Sequence, residues 1–266
     1  MEPVTDKKIT GRAKALISIA AFFLIFFIYY SVMMMLSPGK KYAAIRNEFG
    51  IDTTESSRVG NPVLSDSTYL KLLKEKAFLQ SRLIMAETDS IYLTLNLSDS
   101  TVNLEISGVT VHQARFSEME ASKIFLRGDE SLILSLMASP FTISKDWSTI
   151  RKEPVLFKMA PKDTSEYKPD AVPDTSLTEP VNFILEMTDG TRIYVCQEED
   201  DKPADRRSQF RFDLDYRIRD AWSSMKSIMR FRIPEYHLYI KIYLTRADAR
   251  IIYRAIPRYG QVGLYR

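Results

Sequence analysis

The sequence is poor in the residues that most often bind metals or form covalent bonds. It contains one cysteine, Cys196, and two histidines, His112 and His237, among 266 residues. A single cysteine excludes an intrachain disulfide and any CxxC motif, and two isolated histidines lack the ligand spacing of a zinc site. The GxxxxGK[ST], GxGxxG and GxSxG motifs are also absent. We therefore expect no metal, no cofactor and no assigned catalytic residue.

An excess of charge of one sign is also missing. The chain has 37 basic and 34 acidic residues, a formal net charge of +3, and no long basic block. This balance does not provide the electrostatic footprint of a nucleic-acid-binding protein, so we expect no nucleic-acid partner. Aromatic residues make up 11% of the chain, which favours a packed domain over a disordered one.

One long segment, residues 15–36, has no charged residue at all. At about 1.5 Å per residue a helix of this length extends about 33 Å, enough to cross a hydrocarbon core about 30 Å thick. The segment is longer than the apolar region of a cleaved signal peptide, and no Ala-x-Ala pattern follows it. It is apolar on every face, which is unusual for a core helix of a soluble domain. We predict a retained transmembrane helix.

Basic residues flank both ends of this segment, so the orientation depends on a small difference in the number of basic residues at the two ends. They are Lys7, Lys8, Arg12 and Lys14 before it, and Lys40, Lys41 and Arg46 after it. The positive-inside rule favours residues 1–14 as a cytoplasmic tail and the remainder as an extracytoplasmic domain. A domain of this size with one cysteine suits the bacterial periplasm better than an extracellular space in which disulfides are common. The predicted location is a bacterial inner membrane, with one span.

Residues 37–88 are predicted to be a juxtamembrane spacer and a helix. The spacer, 37–64, begins with Pro38-Gly39 and contains one short helical piece from Tyr42 to Phe49. The helix, Ser65 to Thr88, has an apolar stripe made of Tyr69, Leu72, Leu73, Leu79, Leu83 and Ala86. The stripe has two interpretations: packing against the chain's own domain, or a short coiled coil for self-association. Lys76 and Gln80, on or beside the seam, weaken the second.

Residues 89–266 are predicted to be a β-rich domain. Apolar residues alternate with polar ones from Ile91 to Phe116, which indicates an antiparallel meander. Further strands are predicted at 123–126 and 131–138. A hairpin is predicted from Val181 to Cys196, with Asp189-Gly190 in its turn.

Proline-rich residues 160–180 and charged residues 197–208 of this domain are predicted to be loops. A helix follows from Tyr216 to Arg230, with Ile218, Trp222, Met225 and Met229 pointing inward. The end of the chain is predicted to form a strand (Tyr236–Leu244), a helix capped by Thr245 with Ala247, Ile251, Ile252 and Ala255 on its apolar face, and a strand (Gln261–Tyr265). The fold class is a single-span membrane anchor plus a mainly β (α+β) domain with antiparallel meander and hairpins and two or three helices.

Cys196 is the only nucleophile of the thiol type that the chain offers. It lies in the strand-like run Ile193–Cys196, where a lone cysteine is most often a small buried hydrophobe. The alternative is a Cys–His dyad, in which Cys196 acts with His112 or His237. No Gly, Ser or Asn cluster flanks Cys196 to shape an oxyanion site, so we favour the buried interpretation.

Two stretches resemble one enzyme family. The run Ile91–Phe116 resembles the opening hairpin of L,D-transpeptidase (YkuD-type) domains, and Ile242–Pro257 resembles the end of the same domains. The family cross-links peptidoglycan on a mainly β fold through the cysteine of a Ser-His-Gly-Cys motif, which an arginine follows. In register, that motif falls on Leu238–Lys241, with Lys241 at the nucleophile position and Tyr243 at the arginine position. The resemblance thus implies a scaffold without the catalytic motif, a pseudoenzyme.

These observations together favour a membrane-anchored, periplasmic, non-enzymatic binding or scaffold protein of the cell envelope. Its expected partners are peptidoglycan or an envelope protein, with self-association through residues 65–88 as a further possibility. The basic and aromatic C-terminal residues are candidates for contact with an acidic polymer; they are Arg254, Arg258, Tyr259, Tyr265 and Arg266. The alternatives are a peptidoglycan-modifying enzyme that uses Cys196, and a structural subunit of an inner-membrane complex.

Overall fold

The computed structural model of the chain describes residues 11–48, 67–152, 179–198 and 203–266. The predicted cytoplasmic tail up to residue 10, the spacer from 49 to 64 and nearly all of the proline-rich loop lie outside these residues. The chain divides into two compact units. The anchor unit consists of Met1–Ala44 and Arg217–Tyr236, and the sheet unit consists of Ile45–Tyr216 and His237–Arg266.

The described residues form six helices and nine strands. The helices are α1 (Gly11–Glu48), α2 (Ser67–Ala86), α3 (Lys123–Arg127), α4 (Glu130–Ala138), α5 (Pro203–Met229) and α6 (Arg246–Ala255). The strands are β1 (Tyr92–Asn96), β2 (Thr101–Ile106), β3 (Val109–Arg115), β4 (Met119–Ala121), β5 (Phe141–Ser148), β6 (Phe183–Met187), β7 (Arg192–Gln197), β8 (Tyr239–Leu244) and β9 (Gln261–Tyr265).

Helix α1 contains the apolar segment and continues well beyond it. Among the described residues it is the one helix long and apolar enough to cross a membrane, with a mean hydropathy of 2.4 in its most apolar window and none of that window buried. The break expected at Pro38-Gly39 does not occur, because Pro38 lies inside the helix. Pro38 has no N–H and therefore leaves one helical hydrogen bond unmade, but the helix continues through Tyr42, Ala43 and Ala44. Apolar membrane helices commonly tolerate this loss.

All nine strands belong to one mixed sheet in the order β3-β2-β1-β9-β5-β6-β7-β8-β4. The predicted meander is confirmed, because β1, β2 and β3 pair antiparallel, and so is the hairpin of β6 and β7. The sheet also contains two parallel pairs that the sequence did not predict: β9 pairs parallel to β1, and β8 pairs parallel to β7. Local periodicity predicts strands well but carries no information about which distant strand lies beside which.

Two tight turns explain why the hairpins were recognisable. Ser107 and Gly108 both have positive φ angles, 48° and 83°, as the two-residue turn between β2 and β3 requires. In the turn between β6 and β7, Gly190 has a φ of 82° and Asp189 accepts hydrogen bonds from the Thr191 backbone and hydroxyl. Glycine adopts such angles without strain, so these turns are encoded locally.

The predicted strands at 123–126 and 131–138 are helices α3 and α4 instead. Short apolar runs do not reveal their period, and α4 is built largely from leucine, isoleucine, methionine and alanine, which a buried helix accommodates. The prediction of two or three helices was therefore also wrong, because the described residues contain five helices besides α1.

Helix α5 begins at Pro203, so the loop predicted at 197–208 is shorter than expected. The predicted inward face is wrong as well: Ile218, Trp222, Met225 and Met229 are exposed, whereas Ile228 is buried. Periodicity identifies an apolar stripe but does not identify what covers it. The same limit applies to α6, whose buried residues are Ala249, Ile252 and Tyr253, with Ile251 exposed.

Helices α2 and α4 pack on each other and on β9. Ala77, Ile133 and Met137 form the centre of this contact, and Phe78 and Tyr265 pack against it. Helix α2 buries Ala77, Ser81 and Met85 rather than its leucine stripe. The small residues allow the helix to approach the sheet closely, and as a result the stripe is left on the other side.

Candidate functional site

Cys196 lies on β7 with 4% of its surface exposed and forms no disulfide. The prediction that this cysteine is a buried hydrophobe is confirmed. A catalytic thiol must be reachable by substrate, and the burial of Cys196 opposes this.

Both histidines are held by structural hydrogen bonds. His112 Nε2 lies 3.0 Å from Asp248 Oδ1, and the same carboxylate accepts a hydrogen bond from the Thr245 hydroxyl at the start of α6. His237 Nδ1 donates to the carbonyl of Gly190 in the β6–β7 turn, at 2.9 Å. These bonds orient each ring toward the end of a secondary-structure element, which is an arrangement typical of structural histidines.

Lys241, which the resemblance sets in register with the transpeptidase cysteine, lies on β8 with its Nζ 4.9 Å from the ring centroid of Tyr243. Burial by itself would lower the pKa of Lys241, but the hydrogen bond with Tyr243 and the neighbouring Cys196, Tyr243 and Asp213 raise this pKa above its usual value. A lysine nucleophile requires the opposite shift, because only the neutral amine attacks. Lys241 is therefore a protonated side chain at neutral pH and not a free amine.

The sheet unit contains an open cavity of about 650 Å³ with a strongly basic lining. We name it the cationic cleft. Its lining residues are Ser144, Lys145, Asp146, Trp147, Ile150, Arg151, Lys152, Tyr253 and Arg258. Strand β5 and the residues after it supply one side, while the end of α6 and the following turn supply Tyr253 and Arg258.

Asp146 is at the centre of this cleft. The Tyr253 hydroxyl donates a hydrogen bond to Asp146 Oδ2 at 3.0 Å, and Lys152 Nζ lies 3.3 Å from the same oxygen. Lys152 Nζ is also 5.0 Å from the centroid of the Tyr253 ring, so the ammonium contacts both the carboxylate and the aromatic face. Tyr253 packs in turn on Phe183, with ring centroids 5.1 Å apart. These contacts give the base of the cleft a fixed geometry.

The cleft carries more positive charge than Asp146 compensates. Lys145 has its own partner, Glu186, at 3.7 Å. Arg151 and Arg258 are exposed, and within the described residues neither forms an ion pair. Two unpaired guanidinium groups beside Trp147 and Tyr253 are suited to carboxylate or phosphate groups on a ligand that also has an apolar or sugar face. The thiol of Cys196 is not among the residues that line the cleft, and the basic lining is suited to binding an anionic ligand.

Burial, followed by the Asp146 carboxylate, raises the pKa of Tyr253 well above its usual value. The Tyr253 hydroxyl therefore stays protonated through the physiological range and keeps donating to Asp146.

Sequence reasoning found only part of this site. Of the basic and aromatic C-terminal residues, Arg258 alone lines the cleft. Tyr265 packs on Phe78 of α2, and Arg266 donates to the carbonyl of Leu126 at 2.6 Å. The group of Asp146, Lys152 and Tyr253 was missed because Tyr253 is 107 residues from Asp146, and only the pairing of β5 with β6 and β9 and the packing of α6 bring them together.

A second candidate site is the exposed seam of α2. Leu72, Leu79 and Leu83 are 58%, 51% and 65% exposed and, with Tyr69, follow the three-, four- and seven-residue spacings of a coiled-coil seam. A groove of about 510 Å³ lies between them, with Glu75, Lys76 and Gln80 on its sides. Of the two interpretations of the stripe, packing on the chain's own domain is contradicted for these three leucines.

No protein-family model, no curated protein and no solved structure matches this chain.

Proposed function

We propose that this protein is a membrane-anchored, non-enzymatic binding or scaffold protein of the bacterial cell envelope, and that the cationic cleft is its ligand site. Helix α1 would cross the inner membrane once, with residues 1–14 in the cytoplasm and the sheet unit in the periplasm. The observation that carries the proposal is a pair of arginines, Arg151 and Arg258, which have no ion-pair partner in the described part of the chain and line the cleft together with Asp146, Lys152 and Tyr253.

The chemistry of the cleft favours peptidoglycan as the ligand. Peptide stems of the wall carry carboxylates, which guanidinium groups bind with two parallel hydrogen bonds. The partly exposed ring of Trp147 offers apolar surface to the rest of the ligand. The resemblance to L,D-transpeptidases points to the same ligand, with a binding function in place of the lost chemistry.

The test is retention of the full-length protein, solubilised in mild detergent, on purified peptidoglycan sacculi. We expect the wild type to be retained at low salt and released as salt rises, because exposed ion pairs are screened. The double variant Arg151→Glu, Arg258→Glu should lose most of the retention. Arg115→Glu, on the exposed side of β3, is the matched control and should behave as the wild type. Equal retention of the double variant and the control would contradict the proposal.

The exposed seam of α2 supports a second candidate function, that of a structural subunit assembled through a second copy of α2. The helix has about three heptads, with leucine at positions 72, 79 and 83 and lysine at 76. Confinement in a membrane raises the effective concentration of such short helices, so a weak contact suffices. Replacing Leu72, Leu79 and Leu83 with serine should lower the mass of the detergent-solubilised protein. Val109→Thr with Val111→Thr, on exposed positions of β3, is the control; an unchanged mass for the leucine variant would contradict this candidate.

A further inference from the structure

We propose that residues 217–232 form a second membrane contact: an amphipathic helix that lies among the anionic headgroups of the bilayer, beside the point at which α1 leaves it. The inference rests on the proposed membrane span of α1. The sequence predicted only one apolar span, and this inference adds a second contact, between α5 and the lipid headgroup layer. All the residues concerned belong to the anchor unit.

Contacts within the anchor unit place the end of α5 beside the end of the apolar segment of α1. The ring of Phe231 lies 6.1 Å from that of Tyr29, measured between centroids. Ser37 Oγ donates a hydrogen bond of 2.7 Å to the carbonyl of Pro234. Tyr29 and Ser37 are separated by about 12 Å along the axis of α1. Residues 231–234 therefore follow α1 over the last turns of its apolar segment, where a membrane surface would be.

One exposed face of α5 in this unit is an apolar stripe. Ile218, Trp222, Met225 and Met229 follow a spacing of four, three and four residues, and Trp222 and Met229 are 68% and 66% exposed. Ile228, which is off this stripe, is fully buried. A contiguous exposed stripe of this kind on a monomer marks a surface that another phase or molecule covers. Tryptophan in particular is enriched where a membrane meets water.

Basic residues lie on both sides of this stripe. On a helical projection, Lys226 and Arg230 lie on one side of it and Arg217 lies on the other. Between 217 and 232 the sequence has five basic residues and one acidic residue, Asp220. An apolar centre with basic flanks is the pattern of helices that lie in the plane of an anionic membrane surface. The long basic side chains then reach the phosphates while their stems cover apolar surface.

A basic cavity adjoins the end of α1 in the same unit. Its volume is about 620 Å³, and its lining has three basic residues, Lys40, Lys41 and Arg232, against one acidic residue, Glu235. Basic pockets beside membrane helices are binding sites for anionic headgroups. The basic residues of the cavity and of α5 thus suit anionic headgroups, and the apolar stripe of α5 suits the acyl chains of the same bilayer surface.

Phe231 adds an independent observation. Helix α5 ends in a Schellman motif, in which Arg232 N donates to Ser227 O and Phe231 N donates to Ile228 O. Phe231 occupies the position that usually holds glycine, with a φ of 57°, and its side chain is 83% exposed. A bulky residue is strained in this conformation, and in water an exposed ring provides nothing to offset the strain. Burial of the Phe231 ring in the acyl layer, next to Tyr29, would offset this strain.

A second copy of the chain is a poorer occupant of the stripe. Two identical stripes packed face to face would bring the basic flanks of one copy against those of the other. Like charges that meet across an interface are unfavourable. Anionic headgroups neutralise the same charges, so the charge pattern favours lipid.

The test uses the full-length protein reconstituted in vesicles with brominated acyl chains. The chain has two tryptophans, so Trp147→Phe leaves Trp222 as the sole reporter. In vesicles of phosphatidylcholine with phosphatidylglycerol, we expect brominated lipid to quench Trp222 and aqueous acrylamide to lose most of its effect. Lys226→Glu with Arg230→Glu should restore quenching by acrylamide, whereas the control Arg115→Glu should not.

The possible results are distinct. Quenching of Trp222 by acrylamide alone would overturn the inference, and so would a tryptophan shielded from both quenchers, which would indicate a protein partner. Equal lipid quenching without phosphatidylglycerol would overturn the anionic assignment. Retention of the protein in vesicles after alkaline carbonate extraction tests α1 separately, so loss of the proposed span is distinguished from loss of the surface contact. Phe231→Gly relieves the backbone strain and should nevertheless reduce lipid quenching of Trp222; unchanged quenching would remove Phe231 from the contact.

Discussion

Asp146 is the residue on which the geometry of the cationic cleft depends. Its Oδ2 atom accepts a hydrogen bond from the Tyr253 hydroxyl and lies 3.3 Å from Lys152 Nζ, so one carboxylate positions an aromatic ring and an ammonium group. Asp146 has Tyr253 and Lys152 as its partners, so it forms no ion pair with Arg151 or Arg258 among the described residues. The carboxylate therefore organises the cleft without abolishing its positive charge.

Tyr253→Phe should destabilise the protein at pH 8 by about 2 kcal/mol, the usual net contribution of a hydrogen bond to a charged group. The pKa of Tyr253 is raised in the folded state, so its contribution is complete below the unfolded-state pKa of about 10 and is lost as pH rises through the higher folded-state value. The difference in urea unfolding free energy between wild type and variant should shrink above pH 10. Tyr259→Phe, with the ring 77% exposed, is the control. A difference that does not change with pH would contradict the raised pKa.

Cys196 should be unreactive in the native protein. Because it is 4% exposed, a maleimide reagent should label it only after denaturation. The measurement is the mass of the detergent-solubilised protein after labelling, with and without urea. Rapid native labelling would instead support the alternative of an enzyme that uses Cys196 with His112 or His237.

At the scale of elements, α2 has two different faces with different roles. One face packs on β9 closely enough that a Cβ atom on Gly263 would lie 2.6 Å from Met85 Cε. The other presents Leu72, Leu79 and Leu83 to its surroundings. An ion pair holds the helix to the sheet: Arg82 Nε lies 2.6 Å from Glu105 Oε2, and Thr94 donates to the other oxygen at 2.9 Å.

Glu105→Ala should lower the free energy of unfolding by about 3 kcal/mol, because Glu105 is buried and its loss removes the acceptor of Arg82 Nε and of the Thr94 hydroxyl. Arg82 is partly exposed and can reach water, which limits the cost to this range. Urea unfolding measures the change. Glu118→Ala, at an exposed position, is the matched control and should change stability by less than about 0.5 kcal/mol. A loss no larger than that of the control would show that the ion pair contributes little.

At the scale of the whole molecule, the proposed topology places α1 in the bilayer and the sheet unit outside the cytoplasm. Tyr259 is a suitable reporter because it is on the sheet unit and highly exposed. In intact bacterial cells, Tyr259→Cys should react with a membrane-impermeant maleimide, while the wild type, with only buried Cys196, should not. Labelling that requires cell lysis would reverse the orientation.

The sequence by itself determined the features that local physics sets. The apolar segment from 15 to 36, the hairpin turns at Ser107-Gly108 and Asp189-Gly190, and the Thr245 cap of α6 all depend on residues adjacent in the chain. Their conformations follow from hydrophobicity, glycine dihedral angles and capping, so they could be predicted without a partner.

Only the tertiary structure decided which faces are covered and which residues meet. The stripes of α2 and α5 were visible in the sequence, but their exposure depends on competition with other helix faces for the same sheet and core. The parallel pairing of β9 with β1 and the hydrogen bond between Tyr253 and Asp146 join residues that are far apart in the chain. Such contacts are selected by the packing of the whole chain, which no local pattern records.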